Sequence, residues 1–146
     1  MGEGNDRSSR VQHVSGYALM SDTIAAWHAF MAAPSADALD PLVADDCTFT
    51  SPGNGSVHTG KAAAMKRMLA AAQVLNGDRF HYVGEWRAER SAVLEFTCTM
   101  EDGTEVNGVD MIGWNDAGQI STFKVMIRPI GAMNAIMPLM RAALAQ

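Results

Sequence analysis

Between Ala92 and Pro129 the chain alternates apolar and polar residues, in the order AVLEFTCTMEDGTEVNGVDMIGWNDAGQISTFKVMIRP. Period-two alternation broken by turn-forming residues predicts three antiparallel strands in a meander. Upstream, the period lengthens. Ile24, Trp27, Phe30 and Met31 fall on one face of a helix that opens after Ser21 and stops at Pro34. Ser35 caps a second, short helix carrying Leu39, Leu42 and Val43, interrupted by Pro41. Asp45-Asp46 leads into a short strand, CTFTSP, and GNGSVHT reads as a loop. KAAAMKRMLAAAQVL predicts a third helix with Met65, Met68, Leu69, Ala72 and Leu75 inward, stopped by Asn76-Gly77. FHYVGEWRA predicts a strand, and IGAMNAIMPLMRAALAQ a Met-rich closing helix kinked at Pro138.

The turns set an expected register. Asp102-Gly103 suits a two-residue hairpin loop that pairs Glu95 with Asp110 and Phe96 with Val109. Asn115-Asp116-Ala117-Gly118 suits a three-residue loop that pairs Trp114 with Ile120 and Val109 with Val125. Alternation then puts Leu94, Phe96, Cys98, Met100, Val109, Met111, Phe123, Val125 and Ile127 on one face, with Asn107 near its end. This apolar face is expected to meet the helices. Val93, Glu95, Thr97, Asp110, Ile112, Trp114, Thr122, Lys124, Met126 and Arg128 share the opposite, mixed face. A slip of one residue in either turn would break the partition, and a local slip near Asp110 would make Asp110 and Arg128 the leading catalytic pair.

Composition narrows the class. A chain of 146 residues is expected to form one domain, and it is long enough to bury a core without staples. Residues 1–19 are small and polar, which predicts a disordered tail and a domain over 20–146, with Met20 as a candidate start. A net charge of -5 with scattered Lys and Arg argues against nucleic acid. No apolar run approaches the roughly 18 residues of a membrane span. Cys47 and Cys98 read as buried free thiols, and His and Cys show no metal-ligand spacing, so neither metal nor cofactor is expected. Free thiols without an apolar leader segment point to the cytoplasm.

The order of elements, with Phe49-Thr50-Ser51-Pro52, Gly60, Gly108-Val109-Asp110, Asp116, Gly118, Ile120 and Val125-Met126-Ile127-Arg128-Pro129, resembles the nuclear transport factor 2-like superfamily and, within it, the SnoaL-like small bacterial proteins. The likeness runs from about Ser21 to Leu144. It implies a cone-shaped, cystatin-like α+β fold, in which a curved antiparallel sheet encloses the N-terminal helices and a C-terminal helix completes the domain. It also implies an apolar pocket, and commonly a homodimer through the outer sheet face. Members include polyketide cyclases, steroid isomerases, epoxide hydrolases, dehydratases and proteins that only bind ligands, so the fold alone selects no reaction.

Site residues follow from the faces. Trp27, Phe30, Phe49, Phe96, Asn107, Val109, Met111, Phe123 and Val125 are expected to line the pocket. Glu95, Ile112, Trp114, Lys124 and Met126 are expected on the dimer face. Asp110, Arg128 and His58 are the candidate catalytic groups: a carboxylate tuned by a neighbouring cation, and an imidazole in a loop able to close the pocket rim. The expected register puts Glu95, Asp110, Lys124 and Arg128 outside the cone, which favours a cross-strand charge ladder on the outer face. The enzymes that this chain resembles use groups it replaces. The epoxide hydrolases project an Asp/Arg/Asp set into the cone, where Phe96, Cys98 and Val125 are expected here. The steroid isomerases carry a tyrosine on the first helix, where Trp27 stands here, and two pocket acids. The cyclases place an acid near the end of the last strand, where this chain has Ile127-Arg128. The residues leave three readings: a domain binding a small apolar molecule, a cofactor-free isomerase, cyclase or hydrolase acting by acid/base catalysis on a hydrophobic carbonyl compound, or a dimeric interaction module without pocket function.

Overall fold

A computed structural model describes residues 23–146. The expected tail over 1–19, the Met20 start and the Ser21 cap lie outside the described residues. The elements are α1 (23–32), α2 (Ala36–Leu39) running into a 3₁₀ turn (Asp40–Leu42), β1 (Val43–Thr50), β2 (Val57–Thr59), α3 (Lys61–Leu75), β3 (His81–Arg87), β4 (Ser91–Thr99), β5 (Glu105–Trp114), β6 (Ile120–Arg128) and α4 (Ile130–Leu144). The sheet order is β2-β1-β6-β5-β4-β3, with only β1 and β6 parallel. This is the expected α+β fold, and among the described residues no helix is long and apolar enough to cross a membrane.

Two local readings change. Val43 and Ala44 are buried strand residues, so β1 begins before Asp45-Asp46 and α2 ends at Leu39. The stretch expected to be all loop contains β2, a three-residue edge strand that pairs His58 with Phe49. Period-two alternation is invisible in so short a segment.

α1 buries Ile24, Trp27 and Phe30 against the sheet, and Thr23 Oγ1 donates to the Gly118 carbonyl at 2.7 Å. α3 adds Ala64, Met68 and Ala72 to the same core. Trp27 lies 4.9 Å from Phe123 between ring centroids, and Phe123 stacks on Phe49 at 5.6 Å. These aromatic contacts hold the helix over the β1–β6 side of the sheet.

The largest departure is the register of β5. Met100 N–H donates to the Thr104 carbonyl, and Gly103 N–H to the Met100 carbonyl. The loop therefore has three residues, Glu101-Asp102-Gly103. Gly103 takes φ +87°, and no non-glycine among the described residues has positive φ. A two-residue type I′ loop needs positive φ at both central positions. The longer loop spares Asp102 that strain, and the Asp102 carboxylate accepts from Thr104 N–H instead.

The extra loop residue moves the pairing by one. Glu95 opposes Val109, and Leu94 opposes Asp110. All of β5 is turned over relative to expectation. Val106, Gly108, Asp110, Ile112 and Trp114 are buried, while Val109 is half-buried and Met111 exposed. Val109, Met111 and Asn107 thus leave the expected pocket face. Ile112 and Trp114 leave the expected dimer face for the core. A second irregularity restores β6: Trp114 pairs with Ile120 but Gly113 with Thr122, so Ser121 is an extra residue. Phe123 and Val125 consequently remain buried, and Lys124, Met126 and Arg128 remain exposed, as the alternation predicts.

Gly103 and Gly77 both have open space where a Cβ would stand, but only Gly103 has positive φ. Gly103→Ala is expected to lower stability by about 1 kcal/mol, and Gly77→Ala by less than about 0.5 kcal/mol. Urea unfolding of both variants checks this; equal effects would contradict the three-residue turn.

Candidate functional site

The inverted β5 carries one acid into the core. Asp110 is 6% exposed. Its neighbours follow from register. Tyr82 of β3 pairs with Phe96 of β4, on the same inner face, and reaches across to Asp110. The Tyr82 hydroxyl donates to Asp110 Oδ2 at 2.6 Å, and Trp27 Nε1–H donates to the Tyr82 oxygen at 2.9 Å. A relay of indole, phenol and carboxyl therefore crosses the concave side from α1 to β5. Phe80 and Phe96 pack around it, with the Phe80 and Tyr82 centroids 5.1 Å apart and edge-on.

Burial dominates the electrostatics here. Removal from water pushes the Asp110 carboxyl up from 3.8 to about 7, and the Tyr82 hydrogen bond opposes that rise only partly. The Tyr82 phenol is raised well above its ordinary value by burial first and by the adjacent Asp110 second. Tyr82 is thus a neutral donor, and near neutrality Asp110 exchanges a proton. With Oδ2 occupied by the Tyr82 hydrogen, the carboxyl proton belongs on Oδ1.

A cavity of about 230 Å³ lies between α3, α4, the 51–56 loop and the inner faces of β1 and β6, and no residue of the relay lines it. Val125, the register partner of Asp110, is one of its lining residues, with Phe49, Ala71 and Ile127. α4 contributes Met133, Ile136, Met137 and Met140. The loop closes on itself through Ser51 N–H and the Ser56 carbonyl at 2.9 Å, and Gly53 lies against Met137. A Cβ on Gly53 would come within 2.8 Å of the Met137 sulfur. Ser51, Asn54, Ser56, His58, Arg67 and Arg141 supply the polar part of the lining, and no carboxylate lines the cavity. His58 Nε2 is 3.0 Å from Ser56 Oγ. Desolvation, and then the Arg67 guanidinium, hold its imidazole below the ordinary range, so it is neutral at pH 7.

The structure distributes the sequence-derived candidates over separate places. Trp27 donates into the relay that ends on Asp110. Phe30 and Phe96 are core residues, whereas Phe49 and Val125 are both buried and cavity-lining. His58 lines the cavity. Arg128 does not approach Asp110: it pairs with Asn107 on the outer face, beside an open groove that also holds exposed His81. Asn107 Nδ2 donates to Glu95 and to the Phe96 carbonyl. Glu95, Asn107 and Arg128 thus belong to the outer sheet surface, and the expected four-residue charge ladder loses Asp110. Cys47 and Cys98 are buried and unpaired, with burial pushing the Cys47 thiol up to about 11. Among the described residues no group of three His, Cys, Asp or Glu side chains is placed to share a metal ion.

Tyr82, Arg67 and Arg141 carry much of the local chemistry and were not singled out by sequence. Tyr82 becomes legible once β3 is registered on Phe96, since alternation then turns it inward and His81 outward. The two arginines belong to different helices, and nothing in the linear pattern joins them.

The folded state holds the Asp110 proton to higher pH than the unfolded chain does. Between pH 4 and about 7 the native state therefore binds more protons, and stability falls as pH rises through that window. Asp110→Asn removes this slope. Its stability relative to the parent chain is expected to rise by roughly 2–4 kcal/mol between pH 4.5 and 8, read by urea unfolding. A pH-independent difference would mean that the carboxyl titrates normally.

Comparison with known proteins agrees with the geometry. The SnoaL-like domain family model matches residues 24–123. A steroid delta-isomerase from Pseudomonas aeruginosa is 31% identical, with a TM-score of 0.80 over 88% of this chain and 93% of that one. A protein with a cystatin-like fold from Silicibacter pomeroyi is 27% identical, with a TM-score of 0.77 over 85% and 86%. An NTF2-like protein of unknown function from Mesorhizobium loti, 23% identical with a TM-score of 0.63 over 77% and 93%, shares the fold. No curated protein sequence matches significantly. The matched family model spans most of the chain, and with the six-stranded curved sheet around α1 and α3 it places the chain in the SnoaL-like domain family of the nuclear transport factor 2-like superfamily.

Proposed function

We propose that this domain binds a small hydrophobic molecule in the cavity between α3, α4 and the sheet. The observation that carries the reading is the cavity itself: about 230 Å³, walled by Phe49, Val125, Ile136 and three α4 methionines. An apolar void of roughly 150 Å³ already takes a benzene-sized guest. Burying roughly 200 Å² of ligand at about 25 cal/mol per Å² contributes about 5 kcal/mol, which corresponds to sub-millimolar affinity. Unbranched methionine side chains adjust to guests of different outline, which suits a wall on a single helix. The test is calorimetric titration with 4-phenylbutan-1-ol. The parent chain is expected to bind it, and Ala71→Leu, which extends a cavity-lining helix residue into the space, to bind at least five-fold more weakly. No binding by the parent chain would exclude the reading.

A second reading is favoured by the relay. A carboxyl that is buried, protonated near neutrality and aligned by Tyr82 can donate to an oxygen that gains charge during enolisation. Asp110 itself does not line the cavity, but its register partner Val125 does, so a substrate must reach past Val125 to meet the carboxyl, and His58, neutral at pH 7, lines the same space as a proton acceptor. The 31% identical relative is a steroid delta-isomerase, so the substrate class to assay is a β,γ-unsaturated steroid ketone. The expected outcome is formation of the conjugated enone, with Asp110→Ala about 100-fold slower. A parent chain that leaves the double bond in place removes this reading.

A further inference from the structure

The cavity is mostly apolar, and the charged residues of its lining are basic. Arg67 and Arg141 both line it, together with His58, and no Asp or Glu does. This asymmetry runs against composition, because the chain holds 16 acids to 11 Lys and Arg. Neither arginine has a carboxylate within 4.0 Å among the described residues, whereas Lys61, Arg87 and Arg90 each do. Arg67 is also held in place. Its Nη1 donates to the Ala63 carbonyl one turn back along α3 at 3.0 Å, which leaves the other guanidinium N–H groups without a protein acceptor among the described residues. The charge of Arg67 is felt at His58 across the cavity, where it helps lower the imidazole pKa. Arg141 enters from the last turn of α4, next to Met137 and Met140, so the two guanidinium groups come from different helices to one space.

We propose that the ligand of this cavity is a hydrophobic carboxylate. Its apolar body lies among Val125, Ile136 and Met137, and its carboxylate is held by Arg67 and Arg141. The proposal rests on the ligand-binding reading above and adds the charge of the guest. A planar guanidinium fork matches a carboxylate in two hydrogen bonds, and the half-apolar surroundings strengthen the pairing relative to water. Neutral His58 beside Ser56 adds a polar contact without adding charge.

The experiment compares 4-phenylbutyrate with 4-phenylbutan-1-ol on the full chain at pH 7.5, by calorimetry, in 50 mM and 500 mM salt. The acid is expected to bind at least ten-fold more tightly than the alcohol at low salt. That advantage should shrink to about three-fold or less at high salt, because Arg141 is exposed and Arg67 only half-buried, so salt reaches and screens both. In Arg67→Gln/Arg141→Gln the acid should lose its advantage while alcohol affinity stays within two-fold. Should that variant not fold, as checked by circular dichroism, the salt series on the parent chain decides. Equal binding of acid and alcohol by the parent chain overturns the anion assignment and leaves the apolar cavity standing. An acid advantage that survives the double substitution, or that ignores salt, overturns the role of the arginines. Binding of neither compound overturns both this proposal and the reading on which it rests.

Discussion

The hydrogen bonds that close the chain between Met100 and Thr104 decide where every side chain of β5 goes. With Gly103 in the left-handed region, the hairpin has three loop residues, and β5 meets β4 one position away from the register of a two-residue turn. Side chains alternate strictly along a strand, so this shift exchanges the two faces of all ten residues. Ile112 and Trp114 enter the core, Val109 and Met111 face outward, and Asp110 becomes a core acid. The extra residue at Ser121 cancels the shift for β6. A single central strand is thereby turned over between two neighbours that are not.

That inversion would be costly if Asp110 arrived alone, because an isolated buried charge is expensive. Two devices reduce the cost. The carboxyl is held neutral to about pH 7, and it accepts the Tyr82 hydroxyl, which in turn accepts Trp27 Nε1–H. Trp27 belongs to α1 and also packs on Phe30 and Phe123, so the polar relay and the aromatic core share a residue. The same contacts that seat the helix on the sheet satisfy the acid beneath it.

The cavity is the complement of this packing. Over β3 and β4 the space between helices and sheet is filled by Phe80, Tyr82 and Phe96, which Trp27 joins from its seat on Phe123. On the β1–β6 side the smaller residues Ala71 and Val125 leave room, and α4 supplies adaptable methionines over it. Burial thus divides one concave surface into a rigid polar relay and a compliant apolar space, joined through neighbouring strands at Asp110 and Val125.

Local pattern alone carried much of this molecule. The bounds of α3 and α4, the three-stranded meander, the inward faces of β4 and β6 and the likeness to a cone-shaped fold were all legible, because long periodic segments and capped turns state their own geometry. β2 was not, being three residues of an edge strand with no period to read. Nor was the face of β5. Asp102-Gly103 is compatible with two loop lengths, and the choice depends on backbone strain at Asp102 and on burying Ile112 and Trp114 rather than Val109 and Met111. The pairing of Tyr82 with Asp110, and the placing of Arg67 and Arg141 around one cavity, join residues 28 and 74 positions apart. The residue order by itself determined the elements and the family of fold. Only tertiary packing decided which acid was buried and what surrounds the cavity, because register and helix docking are set by contacts between segments that are distant along the chain.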